Sequence, residues 1–192
     1  MKPTIHKYPK NNFLTMSKKI ILTLVMVLTA NTFFAQSAFD KFDGLDDVTT
    51  VIVNKKMFTL LSKMDVKDKE TQQYVNLIKK LDNLKVFVTQ SDKRADELKA
   101  TSDKYLKSAA LDELMRVNEK GKSVKIYVKS GATDSQIKEL LMFIDGTGKE
   151  ETVLMSLTGN FDLDELSVLT DKMKLPGGDD LKKASKGSKG SK

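Results

Sequence analysis

The chain has no cysteine, no tryptophan and a single histidine, His6. Without cysteine there is no thiol catalysis, no cysteine-built zinc site, no disulfide and no lipid attachment at a lipobox. His6 falls in the N-terminal extension and signal over 1–35 that the sequence marks for removal, so Ser-His-Asp triads and histidine-ligated zinc go with it. Carboxylate, lysine, tyrosine, serine and threonine chemistry is what remains. At this length a domain buries most of its apolar surface in one core and needs no covalent staples.

The leader is residues 16–36, MSKKIILTLVMVLTANTFFAQ. Lys18 and Lys19 precede an apolar run of 11 residues, Ile20 to Ala30, and small or polar residues follow. This is the layout of a secretory signal. The run is well short of the roughly 20 residues that span a bilayer as a helix, so a cleaved signal is favoured over a permanent anchor. The cleavage region is Ala35, Gln36 and Ser37. Cutting after Ala35 makes Gln36 the new N-terminus but leaves Phe33 where a small residue is preferred; cutting after Ser37 puts Ala35 and Ser37 at the two small positions. Met16 reads as the true start, which makes residues 1–15 an over-extended gene start; a genuine long leader is the other reading. The expected localisation is export, to the periplasm or the extracellular space, with no stable membrane anchor after cleavage.

The formal net charge of +7 sits at the ends of the chain. Residues 1–35 carry five lysines and no acids, and residues 176–192 five lysines and two aspartates, while 36–175 holds 23 basic and 24 acidic residues. A nucleic-acid footprint belongs on the folded domain, so no nucleic-acid partner is expected. Three segments follow: a 1–35 extension and signal, one domain over 38–175, and a Lys/Gly/Ser tail over 176–192 with nothing to bury. The tail reads as solubilising, with weak contact to an anionic surface as its other role.

Within the domain, residues 36–47 read as a polar, acidic lead-in. Val48–Val53 is β-branched throughout and predicts a strand. Met57, Leu60, Leu61 and Met64 then share one helical face, and a second helix from Asp68 carries Tyr74, Leu77, Ile78 and Leu81, ending at Asp82 and Asn83. Leu84–Gln90 alternates as a strand. Ser91 opens a charged helix through Leu98 and Tyr105, and Ala109, Leu111, Leu114, Met115 and Val117 predict further helix up to Gly121. Ser123–Lys129 is another alternating strand. Ile137–Asp145 has helical spacing, but its apolar run, the glycine turn Gly146–Gly148 and the run Glu151–Thr158 read together as a hairpin. Gly159 closes the last strand, and Asp162 with Glu165 has capping-box spacing at the head of a final helix. The order β-α-α-β-α-α-β-β-β-α predicts an α+β fold: a largely antiparallel sheet of about five strands with helices packed on one face.

Three segments carry a resemblance: VTTVIVNKKMFTLL (48–61), ELLMFIDGTGKEETVLMSLTGNFDLDEL (139–166), which contains MSLTG (155–159), and the leader end FFAQ (33–36). They resemble the DUF4252 family of the Bacteroidota over about residues 38–175. The resemblance implies an envelope protein and a link to envelope signalling, because some members sit near genes for extracytoplasmic sigma factors. Some members are predicted lipoproteins; this chain has no cysteine to carry the lipid. The family supplies no catalytic residues.

The residues themselves single out none either, and no cofactor or metal site is expected. Asp43, Asp46 and Asp47 around Gly44 do not match a calcium-loop spacing. Gly146-Thr147-Gly148 lacks the third glycine and the following helix of a dinucleotide fingerprint. Ser62-Lys63 and Lys129-Ser130 are adjacent pairs without nucleophile context. The expected function is a non-enzymatic module that binds another envelope protein, at the exposed edge of the closing three-strand meander or on the helix-free face of the sheet. A small-ligand binder lined by Phe87, Tyr105 and Tyr127, and a carboxylate hydrolase, are the alternatives.

Overall fold

The computed structural model describes residues 38–63, 68–119, 121–133, 135–146 and 150–166, together with Asp179. Ala35, Gln36, Ser37 and Gly148, the rest of the leader, the helix expected beyond Leu166 and the Lys/Gly/Ser tail lie outside them. The chain divides into two compact units, Met1–Ala38 and Phe39–Lys192, and the sheet belongs to the second.

Six antiparallel strands form the sheet: β1 (Thr49–Asn54), β2 (Leu81–Thr89), β3 (Asp112–Glu119), β4 (Lys122–Ser130), β5 (Gln136–Asp145) and β6 (Thr152–Asp162). Their order across it is β1-β2-β6-β5-β4-β3. Three helices interrupt them: α1 (Lys55–Leu61), α2 (Lys69–Ile78) and α3 (Asp92–Ala109). The fold is α+β, with six strands rather than five. Ile137–Asp145 is strand, as the hairpin reading has it, and its partner in β6 is matched from Gln136 with Asp162 to Ile144 with Val153.

Each helix start has a local cause. The Asn54 side chain accepts a hydrogen bond from the Met57 amide (3.1 Å), and the Asp68 side chain one from the Thr71 amide (2.8 Å), so both end β-type backbone with an N-cap. Ser91 holds the N-cap position of α3 without a side-chain bond. The capping box expected at Asp162 and Glu165 forms, and it opens a 3₁₀ turn over Leu163–Glu165. Asp82 and Asn83 lie within β2 and do not end α2, which stops at Ile78.

The helix expected over 109–117 is β3. Ala110 ends α3 in the left-handed region (φ 51°), and Met115 and Val117 then pair with Ile126 and Val124. Their spacing of two residues lets both meet the core from a strand, where Leu111 and Leu114 had suggested a helical stripe. Gly121, at φ 85°, turns the chain back into β4.

Helices divide between the two faces of the sheet instead of gathering on one. On the first, Leu84, Val86, Ile126, Leu140, Met142, Met155 and Leu157 pack with Phe58 of α1 and Leu77 and Ile78 of α2. On the second, Phe87, Leu141, Phe143 and Leu154 are buried, together with Leu98 and Tyr105 of α3. The physical reason is the unbroken apolar runs of β5 and β6: a strand with apolar side chains on successive residues must be covered on both sides. Among the described residues no helix-free face therefore exists over the central strands, and the closing meander β4-β5-β6 has no exposed edge, because β3 pairs with β4 and β2 with β6. The lead-in is likewise more than a polar linker. Phe39 and Phe42 are buried, with ring centroids 6.4 and 6.0 Å from Phe87, and Phe39 meets Tyr105 edge-on at 5.3 Å.

Gly159 does not close the last strand: it lies inside β6, which runs on to Asp162, and it faces Leu81 across a register irregularity in the β2–β6 pairing. A Cβ there would lie 2.5 Å from the Lys80 carbonyl oxygen and 2.9 Å from the Leu81 Cα, both backbone atoms that cannot swing aside. Gly159→Ala is expected to cost about 1–3 kcal/mol through overpacking, read as a lower urea midpoint with unchanged slope.

Candidate functional site

The two edges of the sheet differ in chemistry. A sheet edge exposes unpaired backbone N–H and C=O groups and invites another strand, and proteins blunt it with charge, bulges or cover. β3, at one end, carries Asp112, Glu113 and Arg116, with the Arg116 guanidinium donating to the Glu113 carboxylate (3.0 Å). Its pairing with β4 also slips at a bulge between Glu113 and Met115. β1, at the other end, is Thr-Thr-Val-Ile-Val-Asn, without charge or proline, and its register with β2 runs unbroken from Thr49 with Val88 to Asn54 with Asn83. Among the described residues no strand pairs with its outer side.

This edge is also apolar on both faces. Val51 and Ile52, on opposite faces of the strand, are 45% and 42% exposed, and Met57 and Leu60 on the following helix are 48% and 55% exposed. The Asn54 cap turns the chain from β1 directly into α1, so all four residues lie within one stretch of ten. Exposed β-branched residues on an unguarded edge are a feature that soluble domains retain at a cost in aggregation.

Of the carboxylates considered in the sequence, Asp47, Asp145, Asp162 and Glu165 are paired with cations at separate places in the fold. The Arg94 Nε lies 2.9 Å from an Asp47 oxygen, which holds the Asp47 carboxyl below its usual range. Asp145 meets Lys99 at 2.6 Å, and Asp162 and Glu165 share Lys80 at 3.3 and 2.8 Å. Among the described residues no three histidine, cysteine or acidic groups converge in a way that could hold a metal. Gly146 sits after β5 where a Cβ would lie 2.5 Å from the Glu151 carbonyl oxygen, a close approach that serves the turn. Phe87 and Tyr105 are buried in the core and Tyr127 is half-buried.

Two buried polar contacts were not legible in the sequence. Lys85, in the middle of β2, is almost wholly buried and forms an ion pair with Asp40 of the lead-in. The Tyr105 hydroxyl donates to Glu139 at 2.5 Å. Burial pushes the Glu139 carboxyl up, against the pull of the Tyr105 hydrogen bond and the Lys129 charge; burial, then the Glu139 contact, pushes the Tyr105 hydroxyl up. Glu139 also stands opposite Thr158, and Thr158 opposite Asn83. The Thr158 Oγ1 and Asn83 Oδ1 are buried without a hydrogen-bond partner.

The family model for a domain of unknown function (DUF4252) matches residues 42–169. The chain belongs to the DUF4252 family. No curated protein and no solved structure matches it. In this DUF4252 domain the match begins at the buried Phe42 and takes in all six strands. The open β1 edge, the guarded β3 edge and the buried Tyr105–Glu139 pair all lie inside it.

The raised Glu139 carboxyl makes a pH-dependent contribution to stability. The folded protein keeps this proton to a higher pH than the unfolded chain does. Between the ordinary carboxylate range and the raised value, the folded state therefore binds more protons, and stability falls as pH rises. Glu139→Gln keeps an acceptor for Tyr105 and removes the charge. It is expected to raise the urea midpoint at neutral pH and to flatten its decline above the ordinary carboxylate range.

Proposed function

We propose that this DUF4252 chain is an exported, non-enzymatic interaction module of the cell envelope that binds a partner protein by strand addition at β1, in the service of envelope signalling. One observation carries the reading: a six-residue, uncharged, regularly paired edge strand with exposed apolar residues on both faces, in a sheet whose other edge is charged and bulged. Main-chain hydrogen bonds along β1 supply affinity, and the side chains at Val51 and Ile52 supply selectivity. The leader pattern and the absence of cysteine, and of histidine after residue 35, support export and non-enzymatic action.

A second reading, a small-ligand binder, has one observation in its favour. The unpartnered Asn83 Oδ1 and Thr158 Oγ1, beside Glu139, form a polar row where a polar ligand finds an acceptor and a hydroxyl.

In-cell photocrosslinking tests the first reading. A photoreactive residue at Ile52 is expected to capture a partner, with the adduct identified by mass spectrometry, while one at Leu114 on the guarded edge captures none. Equal capture at both positions, or none at Ile52, would sink it. N-terminal mass analysis of the same preparation is expected to show a mature chain beginning at Gln36 or Ala38.

A further inference from the structure

The charges that flank β1 are arranged with a polarity that strand self-pairing can use. Asp46 and Asp47 precede the strand, Lys55 and Lys56 follow it, and all four are exposed; within the chain Asp47 is ion-paired with Arg94 and Lys55 with Asp82 at 2.9 Å, which leaves Asp46 and Lys56 as the charges a second copy can use. The six residues between carry no charge. In an antiparallel pair the start of one strand lies beside the end of the other. Two copies of this edge therefore bring Asp46 of each beside the Lys56 end of the other, with nothing repelled in the middle. The β3 edge carries charge within the strand, and its bulge interrupts a regular pairing.

We propose that the resting occupant of the β1 edge is β1 of a second copy of this chain, paired antiparallel about a two-fold axis through Val51. This rests on the interaction-module reading, whose edge it shares, and makes self-pairing the state that a partner strand displaces. The register follows from three requirements. An axis perpendicular to the sheet keeps each face continuous, so residues opposite one another must share a face, and the axis must pass through a residue. Centred on Val51, the Asp46 end of one strand lies at the Lys56 end of the other. Thr49 then faces Val53, Thr50 faces Ile52, and the two Val51 side chains meet at the axis. The six-stranded sheet becomes one of twelve strands. The exposed faces of Val51 and Ile52 are covered, and Met57 and Leu60 lie on the helix that leaves the same edge. One six-residue strand per copy is a small interface beside the roughly 1,200–2,000 Å² of stable complexes. The dimer is accordingly weak and reversible, which suits an edge that must be released to a partner.

Charge exchange at the axis provides the test, by sedimentation equilibrium of the full chain from about 1 to 200 μM, a range in which weak association is visible. The wild-type chain is expected to dimerise reversibly and more weakly as salt rises. Val51→Lys and Val51→Glu each place two like charges face to face, and each is expected to weaken association by at least about tenfold. Mixed in equal amounts, the two variants are expected to regain a dimer with one copy of each, because the introduced cation meets the introduced carboxylate. Val51 is nearly half exposed, so both variants should keep the wild-type urea midpoint; if either does not, Lys56→Glu, on an exposed helix position, is the replacement, and it too should weaken the dimer. Leu114→Lys on the other edge should leave it unchanged. A monomer at every concentration overturns the proposal. So does association that survives the Val51 substitutions, as association through the apolar run at 20–30 would, or a mixture that stays monomeric. In the crosslinking experiment, an adduct of two copies of this chain belongs to the dimer and an adduct with a different protein to the module reading, so one can fail without the other.

Discussion

The β5–β6 pair is the constraint on which the rest of this domain depends. Both strands carry apolar side chains on successive residues, from Leu140 to Ile144 and from Val153 to Met155. Such a pair has no solvent face and must be covered on both sides. The other elements are disposed to satisfy it. α1 and α2 supply Phe58, Leu77 and Ile78 to one side. The lead-in and α3 supply Phe39, Phe42, Leu98 and Tyr105 to the other. Burying an aromatic or branched side chain of this kind contributes about 1.5–3 kcal/mol. The polar contacts on the second side, Lys85 with Asp40 and Tyr105 with Glu139, keep burial from stranding a charge or a hydroxyl.

From that centre outward, demand for cover falls and chemistry takes over. At β3 the strand is charged, bulged and tied by its own ion pair. At β1 none of these devices is present, although the neighbouring segments are rich in charge. The Asp46–Asp47 and Lys55–Lys56 pairs stop at the strand's two ends. The contrast lies within one sheet and one solvent, so a general tolerance of open edges does not account for it. It is what gives the interaction reading a location.

Much of this fold was legible in the sequence because its period is short and its signals local. β-branched residues placed β1, alternation placed β2 and β4, and a glycine turn between two apolar runs decided Ile137–Asp145 in favour of a hairpin. Asp162 with Glu165 announced its capping box. The misreadings have a common origin in tertiary pairing. Ala109 to Val117 reads as helix because Leu111, Leu114 and Met115 mimic a helical face, and only the β4 partner selects the strand. The lead-in reads as solvated because its acids outnumber its two phenylalanines, although those two are fully inside. Of the candidate site, the edge strand itself was visible, but not that it would be an edge. Strand order depends on which strand the last one joins, and no local pattern encodes that. Lys85 and Glu139 carried no signal either, since a charged residue in an alternating strand looks like one that faces water.

The strand order has a consequence for the time course of folding. β3, β4, β5 and β6 are consecutive neighbours, and β1 and β2 are joined through two short helices, so both groups form from local contacts. The seam between them is β2 against β6, the second strand against the last. A chain that is synthesised, or threaded through a membrane, from its N-terminus must hold β2 open until its final strand arrives, carrying Val86 and Phe87 unprotected in the meantime. The half that arrives first is therefore incomplete by construction, and the last strand delivered is the one that closes the sheet.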